Sequence, residues 1–206
     1  ADGDGRQAAH PLRVPAGRRA ALRIEVEVVF GFKAAGPADV AAVPDWVALG
    51  AELVDCHYPG WELHPAHSVA DFGLHAGLVV GPRVAPVSPR MLRALDGVAA
   101  TLSAGGERLA EGNGQAVLGG PANVLAELRG SLAKRMAGYG VTRPGAPRDR
   151  ESARHPDAAP SPGEATDGGP GYLVSTGTLT PLVEARIGTT YEVAADLLPS
   201  FSFVLV

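Results

Sequence analysis

The chain of 206 residues is poor in several residue types, and each scarcity excludes something. A single cysteine, Cys56, rules out an internal disulfide and a cysteine-based zinc site, a usage that fits a reducing cytoplasm. Only two of the 18 basic residues are lysines, Lys33 and Lys134, and no run of basic side chains occurs. With a net charge of −4, that leaves no electrostatic footprint for nucleic acid. No stretch approaches the ~18 apolar residues of a membrane span, and the N-terminal residues carry no charged-then-apolar leader pattern. Gly112-Asn113-Gly114 and Gly119-Gly120-Pro121 lack the Lys-Ser/Thr of a phosphate loop and the spacing of a dinucleotide fingerprint, so they read as turns. Nothing resembles a nucleophile elbow. A Cys56–His57 dyad fails because neighbours on a strand point to opposite faces.

What is present is enough for a core. Hydrophobic residues make up 46% of the chain, alongside 27 glycines and 18 prolines. Ten of those glycines and prolines lie in residues 143–170, where large apolar side chains are scarce; such a segment buries too little surface to offset its ordering entropy and reads as a disordered insertion. Residues 1–20 read as a loose lead-in, and residues 21–206 as one domain around that insertion. Leu22, Ile24, Val26, Val28 and Phe30 alternate with Arg23, Glu25 and Glu27, the period-two pattern of a strand. Ala38–Leu49 reads as a short helix despite Pro44, and Ala51–His57 as a strand. Residues 95–118 read as a hairpin turning at Gly105-Gly106, and Ala122–Met136 as a helix with a core-facing stripe. Further strands are expected near 171–175, 190–194 and 201–206. The sum is a strand-dominated α+β domain.

Two clusters could carry chemistry. Glu25 and Glu27 project from one strand face, roughly 6.5–7 Å apart at the backbone. Their mutual repulsion is tolerable in solvent, or is satisfied by a divalent cation with hard oxygen ligands. Glu52 lies among small and apolar residues, and a buried carboxylate needs a partner, either a distant arginine such as Arg83 or a metal shared with the first two acids. The second cluster comprises His57, His64, His67 and His75, with Asp55 and Asp71. The spacings of His64 with His67 and of Asp71 with His75 suit zinc on a helix, but Pro65 argues against a helix through the first pair. The remaining readings are solvent-facing or core histidines, or proton transfer in an active site. In Ser175-Thr176-Gly177-Thr178-Leu179-Thr180, backbone N–H and hydroxyl groups could converge on a carboxylate, or form an ordinary turn.

These segments stand in a recognisable order: Ile24-Glu25-Val26-Glu27, Gly50-Ala51-Glu52-Leu53-Val54-Asp55, Val69-Ala70-Asp71, Val117-Leu118-Gly119-Gly120-Pro121 and Ser175–Thr180. Over residues 22–135 and 171–206 the chain resembles the 2-keto-4-pentenoate hydratase / 4-oxalocrotonate decarboxylase family of the fumarylacetoacetate hydrolase-like superfamily. The resemblance implies a mixed β-roll or sandwich of the fumarylacetoacetate hydrolase C-terminal-like type. It implies Mg²⁺ or Mn²⁺ held by Glu25, Glu27 and Glu52, and a hydratase or decarboxylase acting on a 2-oxo or 2-hydroxydienoic acid through a metal-chelated enolate. Thr176 and Thr178 would meet the substrate carboxylate, and His57, Asp71 and His75 would supply acid/base chemistry. Such proteins are cytoplasmic, bind a small molecule rather than nucleic acid or membrane, and commonly form homo-oligomers. Two alternatives accompany this reading. One is an acylpyruvate-type C–C hydrolase using His57 or His75 as base. The other is a fold-retaining non-catalytic or assembly member, motivated by the absence of lysine before Glu25, where the family carries a substrate-site lysine.

Overall fold

The computed structural model describes residues 11–17, 21–33, 43–138 and 171–206; the segment 143–170 lies outside them. In chain order the strands are β1 (Leu12–Val14), β2 (Arg23–Phe32), β3 (Trp46–Val54), β4 (His75–Val80), β5 (Ala99–Ala104), β6 (Glu107–Asn113), β7 (Tyr172–Ser175), β8 (Val183–Glu184), β9 (Thr190–Ala195) and β10 (Phe201–Leu205). The helices are α1 (Pro65–Ala70), α2 (Pro89–Leu95) and α3 (Pro121–Gly138). The expected strand-dominated α+β class is what these elements form.

One sheet runs β1-β10-β9-β5-β6 and the other β4-β3-β2-β7, with β8 also pairing to β2. Alternation on β2 sends Ile24, Val26, Val28 and Phe30 into a core shared with Leu102, Val193 and Phe203 of the opposite sheet. The other face of β2 carries Arg23, Glu25, Glu27, Val29 and Gly31. There Val29 packs with Trp46 and Ala48 in a small second cluster. Gly31 makes room for that tryptophan, because a Cβ at Gly31 would lie 1.9 Å from the indole Cε2.

Two expectations change. The predicted helix over Ala38–Leu49 gives way, within the described residues, to β3, which begins at Trp46 and ends at Val54 rather than His57. A continuous apolar run buried on both faces carries no period, so Trp46–Leu49 could not be distinguished from a helix. Part of the supposed lead-in, Leu12–Val14, is a strand paired in parallel with β10. Three residues are too few to show a pattern, and the partner lies at the far end of the chain. Pro65 opens α1 directly after its extended cap, His64, so no helix runs through both His64 and His67, as the proline indicates. The hairpin and the long helix form as expected, with Leu125 buried and Leu128 and Leu132 packed on the core. Among the described residues no helix is long and apolar enough to cross a membrane.

Candidate metal centre

The antiparallel register of β2 and β3 sets Glu25 directly opposite Glu52, and Glu27 opposite Gly50. Cross-strand partners share a face, so three carboxylates collect on the sheet surface away from the core. Their ligand oxygens all lie within 4.8 Å of one another, and they are the one such group of three among the described residues.

Glu27 is the deepest, 1% exposed. β7 runs antiparallel to β2 with Ser175 opposite Val29, and the chain continues along β2 through bonds from the Thr176 and Leu179 amides to the Val28 and Val26 carbonyls. That path brings two donors to the Glu27 carboxylate, the Ser175 hydroxyl and the Gly177 N–H at 3.2 Å. The hydroxyl and backbone donors of this segment thus meet on a carboxylate of the protein itself. The Thr176 hydroxyl accepts from the Val28 N–H and donates to the Gly177 carbonyl, each at 3.3 Å. The Thr178 hydroxyl donates to the Thr180 carbonyl at 2.7 Å. Both hydroxyls shape the segment.

Burial pushes the Glu27 carboxyl up to about 9, reinforced by its hydrogen bond and repulsion with Glu52 and only partly opposed by the Gly177 N–H. Glu25 is raised as well, by burial first and then by the charge of Glu52. Among the described residues no lysine or arginine pairs with the three acids. Arg83, the distant arginine considered for Glu52, lies instead over the Trp46 ring at 4.3 Å.

Glu52 is held by histidine. A register shift between Leu53 and Val54 in the β3–β4 ladder sets His75 against Val54, the local effect of a bulge. The His75 Nδ1 then lies 2.5 Å from the Glu52 carboxylate. His57 and Asp71 form a separate pair: the Asp71 carboxylate accepts the His57 N–H at 3.0 Å and lies 2.6 Å from the ring Nδ1. The His57 N–H, followed by its ring, holds the Asp71 carboxyl below its usual range. His64 and His67 are absorbed by the turn between these partners. The His64 ring accepts from the Ala66 N–H to cap α1, and the His67 ring accepts from the His64 N–H, both at 3.3 Å.

Sequence reasoning did not identify Ser175 and Gly177 as the holders of Glu27. Their signal was the hydroxyl-Gly-hydroxyl pattern, whose target depends on strand pairing. It also passed over Arg23, which shares the face of Glu25 and Glu27 and lies 3.9 Å from the centroid of the Trp61 ring.

No family model matches the chain. It is 31% identical over 165 residues to a 2-keto-4-pentenoate hydratase of Burkholderia vietnamiensis, covering 79% of this chain and 50% of that protein. It is also 31% identical over 156 residues to a protein of the same name from Paraburkholderia phymatum, covering 75% and 47%. The chain thus spans about half the length of these curated relatives. Among solved structures it is similar to 4-oxalocrotonate decarboxylase from Pseudomonas putida G7 complexed with magnesium and adipate, with a TM-score of 0.67 and 24% identity over 95% of this chain and 65% of that one. A 5-carboxymethyl-2-hydroxymuconate delta-isomerase from Mycobacterium smegmatis aligns with a TM-score of 0.53 at 12% identity, over 95% and 62%. These structural likenesses establish the shared fold.

Proposed function

We propose, for a chain that is a relative of the 2-keto-4-pentenoate hydratase / 4-oxalocrotonate decarboxylase family, that it is a divalent-metal-dependent lyase acting on a 2-oxo or 2-hydroxydienoic acid. The carrying observation is the trio Glu25, Glu27 and Glu52, three carboxylates in mutual reach with no lysine or arginine paired to them among the described residues. An all-oxygen anionic donor set fits a hard cation such as Mg²⁺ or Mn²⁺, and the solved decarboxylase of the same fold holds magnesium. A cation there would supply Lewis acidity to a 2-oxo acid, favouring negative charge on its oxygen. The chain's own side chains do the rest. Ser175 and Gly177 orient Glu27, and His75 orients Glu52. The Asp71 carboxylate fixes the His57 ring at Nδ1, which leaves Nε2 available to take or give a proton.

Melting the purified chain with and without Mg²⁺ tests the reading. Mg²⁺ is expected to raise the melting temperature and Glu25→Gln to abolish that rise; an unchanged response removes the site. Turnover of a 2-hydroxydienoate, followed by loss of dienol absorbance, separates a lyase from a non-catalytic assembly member. The His57–Asp71 pair favours one further reading, the acylpyruvate-type C–C hydrolase, because a carboxylate-oriented imidazole can activate water. Product analysis decides: hydrolysis yields two acids, whereas hydration keeps one carbon skeleton.

A further inference from the structure

At one edge of the two sheets a cavity of about 490 Å³ opens between the β5–β6 hairpin and the segment that carries β8 and the start of β9. Ladder register places Phe203, Tyr191, Ala104 and Glu107 in one row across β10, β9, β5 and β6. Cross-strand partners share a face, and Tyr191 and Phe203 are buried in the core, so Glu107 stands on the core side of an edge strand. Its neighbour Arg108 spends its charge on Glu111, at 2.6 Å. A register shift in the β5–β6 ladder leaves Leu109 without a partner on β5, the effect of a bulge, and Leu109 adds an apolar wall. From β8, Val183 stands opposite the buried Ile24 and packs on the core. The cavity is thus on the core side of β2, whereas the three glutamates occupy its other face.

The turn after β8 is held by backbone. The Gly188 N–H donates to the Leu205 carbonyl at 2.8 Å, and the Thr189 N–H to the Arg186 carbonyl at 3.2 Å. The Arg186 N–H donates to the Tyr191 hydroxyl at 2.7 Å. Tyr191 is 1% exposed and lines the cavity, and its own hydroxyl proton has no acceptor among the described residues. The Arg186 guanidinium, the Thr189 hydroxyl and the Glu107 carboxylate line the same cavity, and among the described residues none of them has an ion pair or side-chain hydrogen bond. A guanidinium and a carboxylate that share one cavity without meeting are matched by a ligand that carries both charges. Arg186, with the Thr189 and Tyr191 hydroxyls, suits a carboxylate, and Glu107 suits an ammonium group. The volume lies within the range of small-molecule sites. We infer that this cavity binds a free α-amino acid with an apolar side chain, at a site separate from the metal centre.

Chemical-shift titration of the nitrogen-labelled chain with L-leucine, 4-methylpentanoate and 3-methylbutylamine provides the test. The second lacks only the amino group of the first, and the third only its carboxylate. L-Leucine should shift the amides of Gly105, Gly188 and Thr189 saturably and bind about tenfold more tightly than either analogue, as one charge-assisted pair gives. Arg186→Gln should erase the advantage over 3-methylbutylamine, and Glu107→Gln the advantage over 4-methylpentanoate. Tyr191→Phe should weaken L-leucine alone among changes that keep both charges, and Ile187→Ala, at an exposed position of the same turn, should leave its affinity unchanged. The dispersion of each spectrum reports that the variant is folded. No saturable shift, an analogue that binds as tightly as L-leucine, or an advantage that survives both charge substitutions overturns the inference. Each of these leaves the metal centre standing, because the amides of Glu25 and Glu27 report on added Mg²⁺ separately.

Discussion

At the scale of single residues, Glu27 combines burial, two donors and two acidic neighbours, and its carboxyl is pushed up to about 9. In the unfolded chain the same group titrates near 4.5, the ordinary value for a glutamate. Between those limits the folded, metal-free protein binds a proton that the unfolded chain has released, so stability falls as pH rises, by at most about 1.4 kcal/mol per unit for one proton. Thermal melts in a chelator from pH 5 to pH 9 should show that decline. Glu27→Gln, neutral throughout, should flatten it, and a pH-independent wild-type profile would refute the assignment. His75 acts one step out, through Glu52. His75→Ala should weaken Mg²⁺ binding roughly tenfold or more, the usual effect of losing the partner that orients a metal ligand, with His75→Gln recovering part of it; calorimetric titration with the metal alone reads both. The alternation of Arg23, Glu25 and Glu27 was legible because it is local. That Arg23 ignores its acidic neighbours was not, because it depends on a loop that follows another strand.

At the scale of elements, the segment after β7 is wedged between β2 and β6. Its position is set by Gly112, where an added Cβ would lie 1.9 Å from the Leu179 carbonyl oxygen. That obstacle is backbone, so it cannot rotate away. Gly112→Ala should cost about 1–3 kcal/mol in a denaturant melt, as overpacking does. It should also weaken Mg²⁺ binding by shifting Ser175 and Gly177 from Glu27; stability loss with unchanged metal affinity would show the segment is not a support for the site. The turn between His57 and Asp71 allows a sharper local test. Asp71→Asn should speed hydrogen exchange of the His57 amide and leave the amides of β2 protected. Equal acceleration in both would mean that the pair supports the whole sheet. The hairpin of β5 and β6 was readable from its Gly105-Gly106 turn and its strands on either side. β3 was not, because Trp46–Leu49 is buried on both sides and carries no period.

For the whole molecule, a cation bound by the folded state alone stabilises it by mass action, about 2.7 kcal/mol at a hundredfold excess over the dissociation constant. A chelator should reverse that gain in full. Homo-oligomerisation is proposed from the family resemblance, and light scattering should return at least twice the 21.0 kDa chain mass; a monomer mass would reject it.

The sequence by itself determined the strand-rich class, the common face of Glu25 and Glu27, and the candidacy of Glu52. These follow from side-chain period and local composition, which act over a few residues. The tertiary structure alone decided the partners. Glu27 is held from a segment about 150 residues away, Glu52 by a histidine that a bulge places beside it, and Arg23 by an indole that a strained turn lays on it. Strand register, bulges and turns set those distances, and each depends on pairing between segments far apart in the chain.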